Sequence, residues 1–157
     1  MSAQHIYDLA PLGSIIRYSD GAPKPPARFK RKLVAWENNN SGGRLVRKTP
    51  SRDMPSCFLP ASITLHRGDF GSAGVVVLRV YKTFSVNCAL KFIVTEPPKA
   101  GSVRVLDREG EAAELLHLAV DRTAAEAWLA AHRHPGAVLK DVTADEETMA
   151  VINGRAA

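Results

Sequence analysis

Ser62-Ile-Thr-Leu-His66, Gly74-Val-Val-Val-Leu-Arg-Val-Tyr81, Leu90-Lys-Phe-Ile-Val-Thr95 and Ser102-Val-Arg-Val-Leu106 follow one another within 45 residues of the chain. Each run is rich in β-branched or aromatic residues. Turn-forming segments at Arg67 to Ser72, at Asn87 and at Pro97 to Gly101 separate them. Connections this short favour antiparallel pairing, because a parallel crossover consumes about a dozen residues or more. The middle of the chain therefore reads as an antiparallel sheet, and Gly74 to Val80 is its densest apolar stretch. With aromatics at only 6%, the core is expected to be built mainly from Val, Leu, Ile and Ala.

Working outward toward the N-terminus, residues 14 to 18 read as a first strand that meets the turn dipeptide Asp20-Gly21. Residues 22–26 contain three prolines, which exclude a helix interior and a central strand and make the segment a stiff connector. Over Ala27 to Asn38, Phe29, Leu33 and Trp36 recur at the helical period while Arg28, Lys30 and Arg31 fall elsewhere on the surface, so an amphipathic helix with its Trp stripe in the core is expected. Asn38 to Gly43 reads as loop, Arg44 to Thr49 as a short strand, and Ser51 to Pro60 as loop.

In the other direction, Glu114 to Val120 is apolar enough for a buried strand. Thr123 to Glu126 has the spacing of a capping box, which opens a helix from Ala124 to Arg133. Pro135-Gly136 ends it and Ala137 to Val142 follows as a strand, so residues 114 to 142 read as a β-α-β unit. The stretch 144–157 is expected to be a frayed tail. The fold class expected is α+β: a single domain over 1–157, with a mainly antiparallel sheet of about five to seven strands packed by two main helices that bury Trp36 and Trp128.

Several function classes are disfavoured by what the chain lacks. No apolar run approaches the roughly 18 to 20 residues of a membrane span. The first residues show no basic segment followed by an apolar one, so a cytoplasmic protein is expected. Cys57 and Cys88 are too few for a disulfide framework and stand too far apart in sequence for a zinc pair. His132 and His134 point about 200° apart if both are helical, which prevents a shared metal. No phosphate-cradling glycine motif occurs, and Gly68-Asp-Phe-Gly71 reads as a turn. No cofactor is expected. His66 with Asp69, or His117 with Asp121, could form an oriented pair for a hydrolase or transferase, and Cys57 or Cys88 could serve as nucleophile beside His66 or His117, but nothing in the sequence brings them together.

Charge is distributed unevenly. The net is +7 over residues 1–52, +2 over 53–99 and −4 over 100–157. Lys24, Arg28, Lys30, Arg31, Lys32, Arg44, Arg47, Lys48 and Arg52 fall within 29 residues, with Trp36 among them. Cations at this density favour phosphate backbones through counterion release, and aromatic or Arg side chains stack on bases. The sequence therefore points to a nucleic-acid-binding accessory protein without catalysis, its basic helix and strand forming one continuous patch. The alternative is an adaptor or inhibitor of phage or plasmid type that docks on an acidic or nucleic-acid-binding protein surface.

Overall fold

The computed structural model describes residues 1–146. The described residues form α1 (Ala3–Leu9), β1 (Ile15–Ser19), α2 (Lys30–Asn39), β2 (Ser41–Thr49), β3 (Arg52–Met54), β4 (Cys57–Leu59), β5 (Ser62–Ser72), β6 (Val75–Ser85), β7 (Lys91–Glu96), β8 (Val103–Leu106), β9 (Leu115–Ala119), α3 (Arg122–Ala131) and β10 (Val138–Asp141). This is a mixed α+β fold around a five-stranded sheet in the order β6-β5-β2-β1-β7, with every neighbouring pair antiparallel. No helix among the described residues is long and apolar enough to cross a membrane.

Strand alternation sends Ile16 and Tyr18, Leu45, Ile63 and Leu65, Phe84, and Phe92 and Val94 to one face of that sheet, where all are buried. The short helix α1 closes this core with Ala3 and Ile6 and, just beyond its end, Ala10, spaced at the helical period. The Ser2 hydroxyl caps α1 by accepting from the His5 N–H at 3.3 Å. The sequence reading leaves this helix unassigned, although the Ser cap and the Ala3, Ile6, Ala10 stripe are its signals.

On the opposite face a second sheet, in the order β10-β8-β9, packs with α3 behind it. The expected β-α-β unit is present in altered form. β9 and β10 each pair antiparallel with β8, so they run parallel to one another with β8 between them. Alternation along β2 lets the sheet serve both layers, and the strand carries a bulge between Leu45 and Arg47. Leu45 points into the core under α1, and Val46 joins Leu106, Ala113 and Leu115 in the second core. Arg104 of β8 is buried between the layers, where its Nε donates to the Leu12 carbonyl at 2.8 Å and its Nη2 to Glu146 at 2.9 Å. The rest of the expected tail, residues 147–157, lies outside the described residues.

Several expectations need correction. The supposed turn over Arg67 to Ser72, including Gly68 to Gly71, is strand, and β5 and β6 form a long hairpin that reverses at Ala73-Gly74. Both residues there have positive φ, 52° and 80°, as a two-residue hairpin turn of the primed type requires. The apolar run at Val75 to Leu78 is consequently not core: it lies in the outer part of this hairpin, exposed on both faces. The helix placed at Ala27 to Asn38 begins later, with Phe29 as its N-cap, and buries no residue. Phe29 is 42% exposed, and Leu33 and Trp36 are half-buried, because α2 lies beside the sheet rather than across it. Trp128 is likewise half-buried, against a third cluster formed by Val103, Val105, Ala119 and Ala125. Asp121, not Thr123, caps α3, its carboxylate accepting from the Ala124 N–H at 2.7 Å. The segment Ser51 to Pro60 contains the exposed hairpin β3-β4, and β2 begins at Ser41, inside the expected loop.

Candidate nucleic-acid interface

Strand pairing aligns polar side chains on the outer face of the large sheet. Ile15 stands opposite Arg44, Arg44 opposite His66, and His66 opposite Tyr81, one row across four strands. A regular strand would place His66 and Asp69, three residues apart, on opposite faces. The bulge between His66 and Gly68 inserts one residue and returns Asp69 to the face of His66. His66 Nε2 consequently lies 2.8 Å from Asp69 Oδ1, with Arg79 Nε 3.6 Å from the same oxygen and the Tyr81 ring 5.3 Å from the imidazole. Facing this row, His117 of β9 stacks on Trp128 at 5.0 Å and 2°. The facing groups enclose a cleft of about 250 Å³.

Farther along the same face, beyond the cover of the second sheet, the surface opens into a groove of about 460 Å³ that includes Arg17, Lys91, Ile93 and Thr95 of the sheet and Trp36 of α2. Trp36 is held in place by its indole N–H, which donates to the Ala22 carbonyl at 2.7 Å. The Asn40 amide ties the end of α2 to the loop after β1 by donating to Asp20 at 2.8 Å and to the Trp36 carbonyl at 3.0 Å. The Ala22 N–H and then the Asn40 amide hold the Asp20 carboxyl below its usual range. Cations lie over the aromatic rings: Lys24 is 5.7 Å from the Trp36 ring, and Arg28 and Lys32 are 4.8 and 5.4 Å from the Phe29 ring.

Lys24, Arg28, Lys30, Arg31 and Lys32 are all exposed around α2. The β2 cations are engaged elsewhere. Arg44 donates to the Gly13 carbonyl at 2.9 Å, and Arg47 pairs with Glu114 of the second layer at 3.2 Å. Lys48 lies 5.8 Å from the Tyr7 ring and beside Asp8 and Glu146, with burial as the largest influence lowering its pKa. Arg52 is exposed on β3. The single patch expected from helix and strand together is thus divided, and Arg17 and Lys91, which sequence reasoning did not select, face the groove. The signal for Arg17 was its position between the buried Ile16 and Tyr18.

Of the imagined catalytic pairs, His66 and Asp69 meet, whereas Asp121 is the cap of α3. Cys57 is an exposed thiol and Cys88 a half-buried one. The helix ends before His132, and both His132 and His134 stack on Trp128. No group of His, Cys, Asp and Glu among the described residues is arranged to hold a metal ion.

Fold and surface together define a small α+β protein with a cation-lined sheet face. The chain belongs to the family described as uncharacterised conserved protein UCP036055, whose model matches residues 1–146. No curated protein and no solved structure matches it.

Proposed function

We propose that the chain binds single-stranded nucleic acid along the open half of the outer sheet face, with α2 as a cationic wall. The observation that carries this reading is the groove in which Arg17 and Lys91 share a surface with the fixed indole of Trp36. Phosphates would meet the cations and bases the aromatic rings, the combination that single-strand sites use. The charge order of α2 adds support. Its first turn, Lys30, Arg31 and Lys32, holds three cations and no acid, and the side chain of its N-cap, Phe29, makes no capping bond. Cations at this end oppose the helix dipole at a cost of about 0.3–1 kcal/mol each, and a bound phosphate would relieve that repulsion.

Binding to a labelled oligonucleotide, followed by anisotropy against salt, tests the reading. If about four phosphates are neutralised, log K should fall against log salt with a slope of about −2.8 on a single strand. Reversing Arg28, Lys30 and Arg31 to Glu should weaken every sequence alike, and Trp36→Ala should cost about 1–3 kcal/mol of stacking. Binding by a folded triple variant that equals wild type, or no binding by wild type at about 50 mM salt, would overturn it. A protein partner is the second reading. It is favoured by the exposed apolar residues of the β5–β6 hairpin, among them Phe70, Val75 and Val77 at 61, 65 and 78% exposure.

A further inference from the structure

The cleft between β5, β6 and β9 has no part in the single-strand reading, and its chemistry is that of an anion site. Two guanidiniums reach it from strands on either side of β5: Arg44 from β2 and Arg79 from β6. Among the described residues Asp69 is the one acid in its lining, and that carboxylate is already engaged by His66 and approached by Arg79. The cations therefore exceed the acids. Arg44 donates through Nη1 to Gly13, and a guanidinium has five N–H donors, so this bond leaves others for a ligand. Asp69 and His66 engage one another through Nε2, so His66 holds the carboxylate in place and the donors for a ligand come from Arg44, Arg79 and the Tyr81 hydroxyl. His117 supplies a wall rather than a charge, because burial first, then His132 and Arg44, holds its pKa below the ordinary imidazole value.

We propose that this cleft binds a phosphate monoester group. A planar carboxylate is satisfied by one guanidinium fork. Donors converging from β2 and β6, on either side of β5, suit a tetrahedral, doubly charged oxyanion instead. The volume of about 250 Å³ is below the usual range for a drug-sized ligand, so the cleft fits a phosphate group with a few attached atoms. Such a group is offered by a free small phosphate ester and by the 5′ end of a nucleic-acid strand.

The site is independent of the Trp36 groove, and calorimetry can separate the two. The titrants are inorganic phosphate, a nucleoside 5′-monophosphate, and a short oligonucleotide with either a 5′-phosphate or a 5′-hydroxyl. Saturable binding of the phosphate monoesters is expected. Loss of a charge-assisted bond in Arg79→Gln should weaken it at least about tenfold, and Tyr81→Phe a few-fold. Both side chains are well exposed, so both variants should fold, as circular dichroism would verify. Trp36→Ala should leave monophosphate affinity intact even if it abolishes strand binding. Preference for the 5′-phosphorylated strand over the small phosphates assigns the strand end as ligand, and equal affinity assigns a free phosphate ester. No saturable heat with any titrant up to about 10 mM, or binding that neither variant weakens, overturns the proposal.

Discussion

His117 lies in an apolar strand yet carries an ionisable ring, and its neighbours determine what that ring does. Its face lies on Trp128, and desolvation, followed by repulsion from His132 and Arg44, lowers its pKa from 6.5. The unfolded chain therefore takes up a proton at this position near pH 6.5 while the folded chain still resists it. Below that pH the unfolded state binds more protons, so folding stability falls as pH falls, until the folded imidazole is itself protonated. Thermal melts of wild type and His117→Phe between about pH 7.5 and about pH 5.5 test this, since Phe keeps a stacking ring without a titrating nitrogen. Wild type should lose more stability than the variant over that interval, and parallel curves would remove His117 as the source.

At the scale of elements, legibility followed local rules and failed where tertiary context decided. The strand nearest Ile15–Ser19 and the helix nearest Arg122–Ala131 were readable because turn residues and periodicity agree there. The long hairpin is not legible to local rules. Gly68 and Gly71 look like breakers, but both sit in strand β5 beside the bulges that interrupt its register. Periodicity also cannot reveal that an apolar run will be left exposed, so Val75 to Leu78 reads as core from sequence although these residues are exposed among the described residues. The candidate site was legible in residue type alone. His66 and Asp69 could be paired on paper, but their meeting depends on a bulge, and the split between the α2 and β2 cations depends on Glu114, sixty-seven residues from Arg47.

The same hairpin yields an element-scale prediction. Gly71 has no room for a side chain, because a Cβ there would lie 1.9 Å from the Val75 carbonyl oxygen. Gly71→Ala should therefore force the strands apart near the turn. Ala73, by contrast, pays for a left-handed φ of 52°, a conformation that Asn tolerates better than Ala. Ala73→Asn should stabilise the hairpin by several tenths of a kcal/mol, and Gly71→Ala should destabilise it. Amide hydrogen exchange of β5 and β6 is the appropriate measurement, because local opening of the outer hairpin need not change the global melt. Faster exchange in Ala73→Asn than in wild type would contradict the turn assignment.

Over the whole molecule, two differently constructed surfaces stand on separate elements. The α2 surface is cationic with caged aromatic rings, whereas the outer β5–β6 hairpin is apolar, and β6 forms an edge of the large sheet. An edge strand with exposed apolar side chains is a template for pairing with another protein surface. Substitutions at sites without shared partners act additively, so the surfaces should be separable. Val77→Lys on the hairpin should reduce protein association, measured by sedimentation across concentration and with candidate partners, while leaving oligonucleotide affinity within about twofold. Reversing Arg28, Lys30 and Arg31 should do the opposite. If Val77→Lys abolishes oligonucleotide binding while the chain stays folded, strand binding depends on assembly through the hairpin, and the α2 groove does not suffice for it. If sedimentation detects no association that Val77→Lys reduces, the protein-partner reading falls and the nucleic-acid reading stands without a rival.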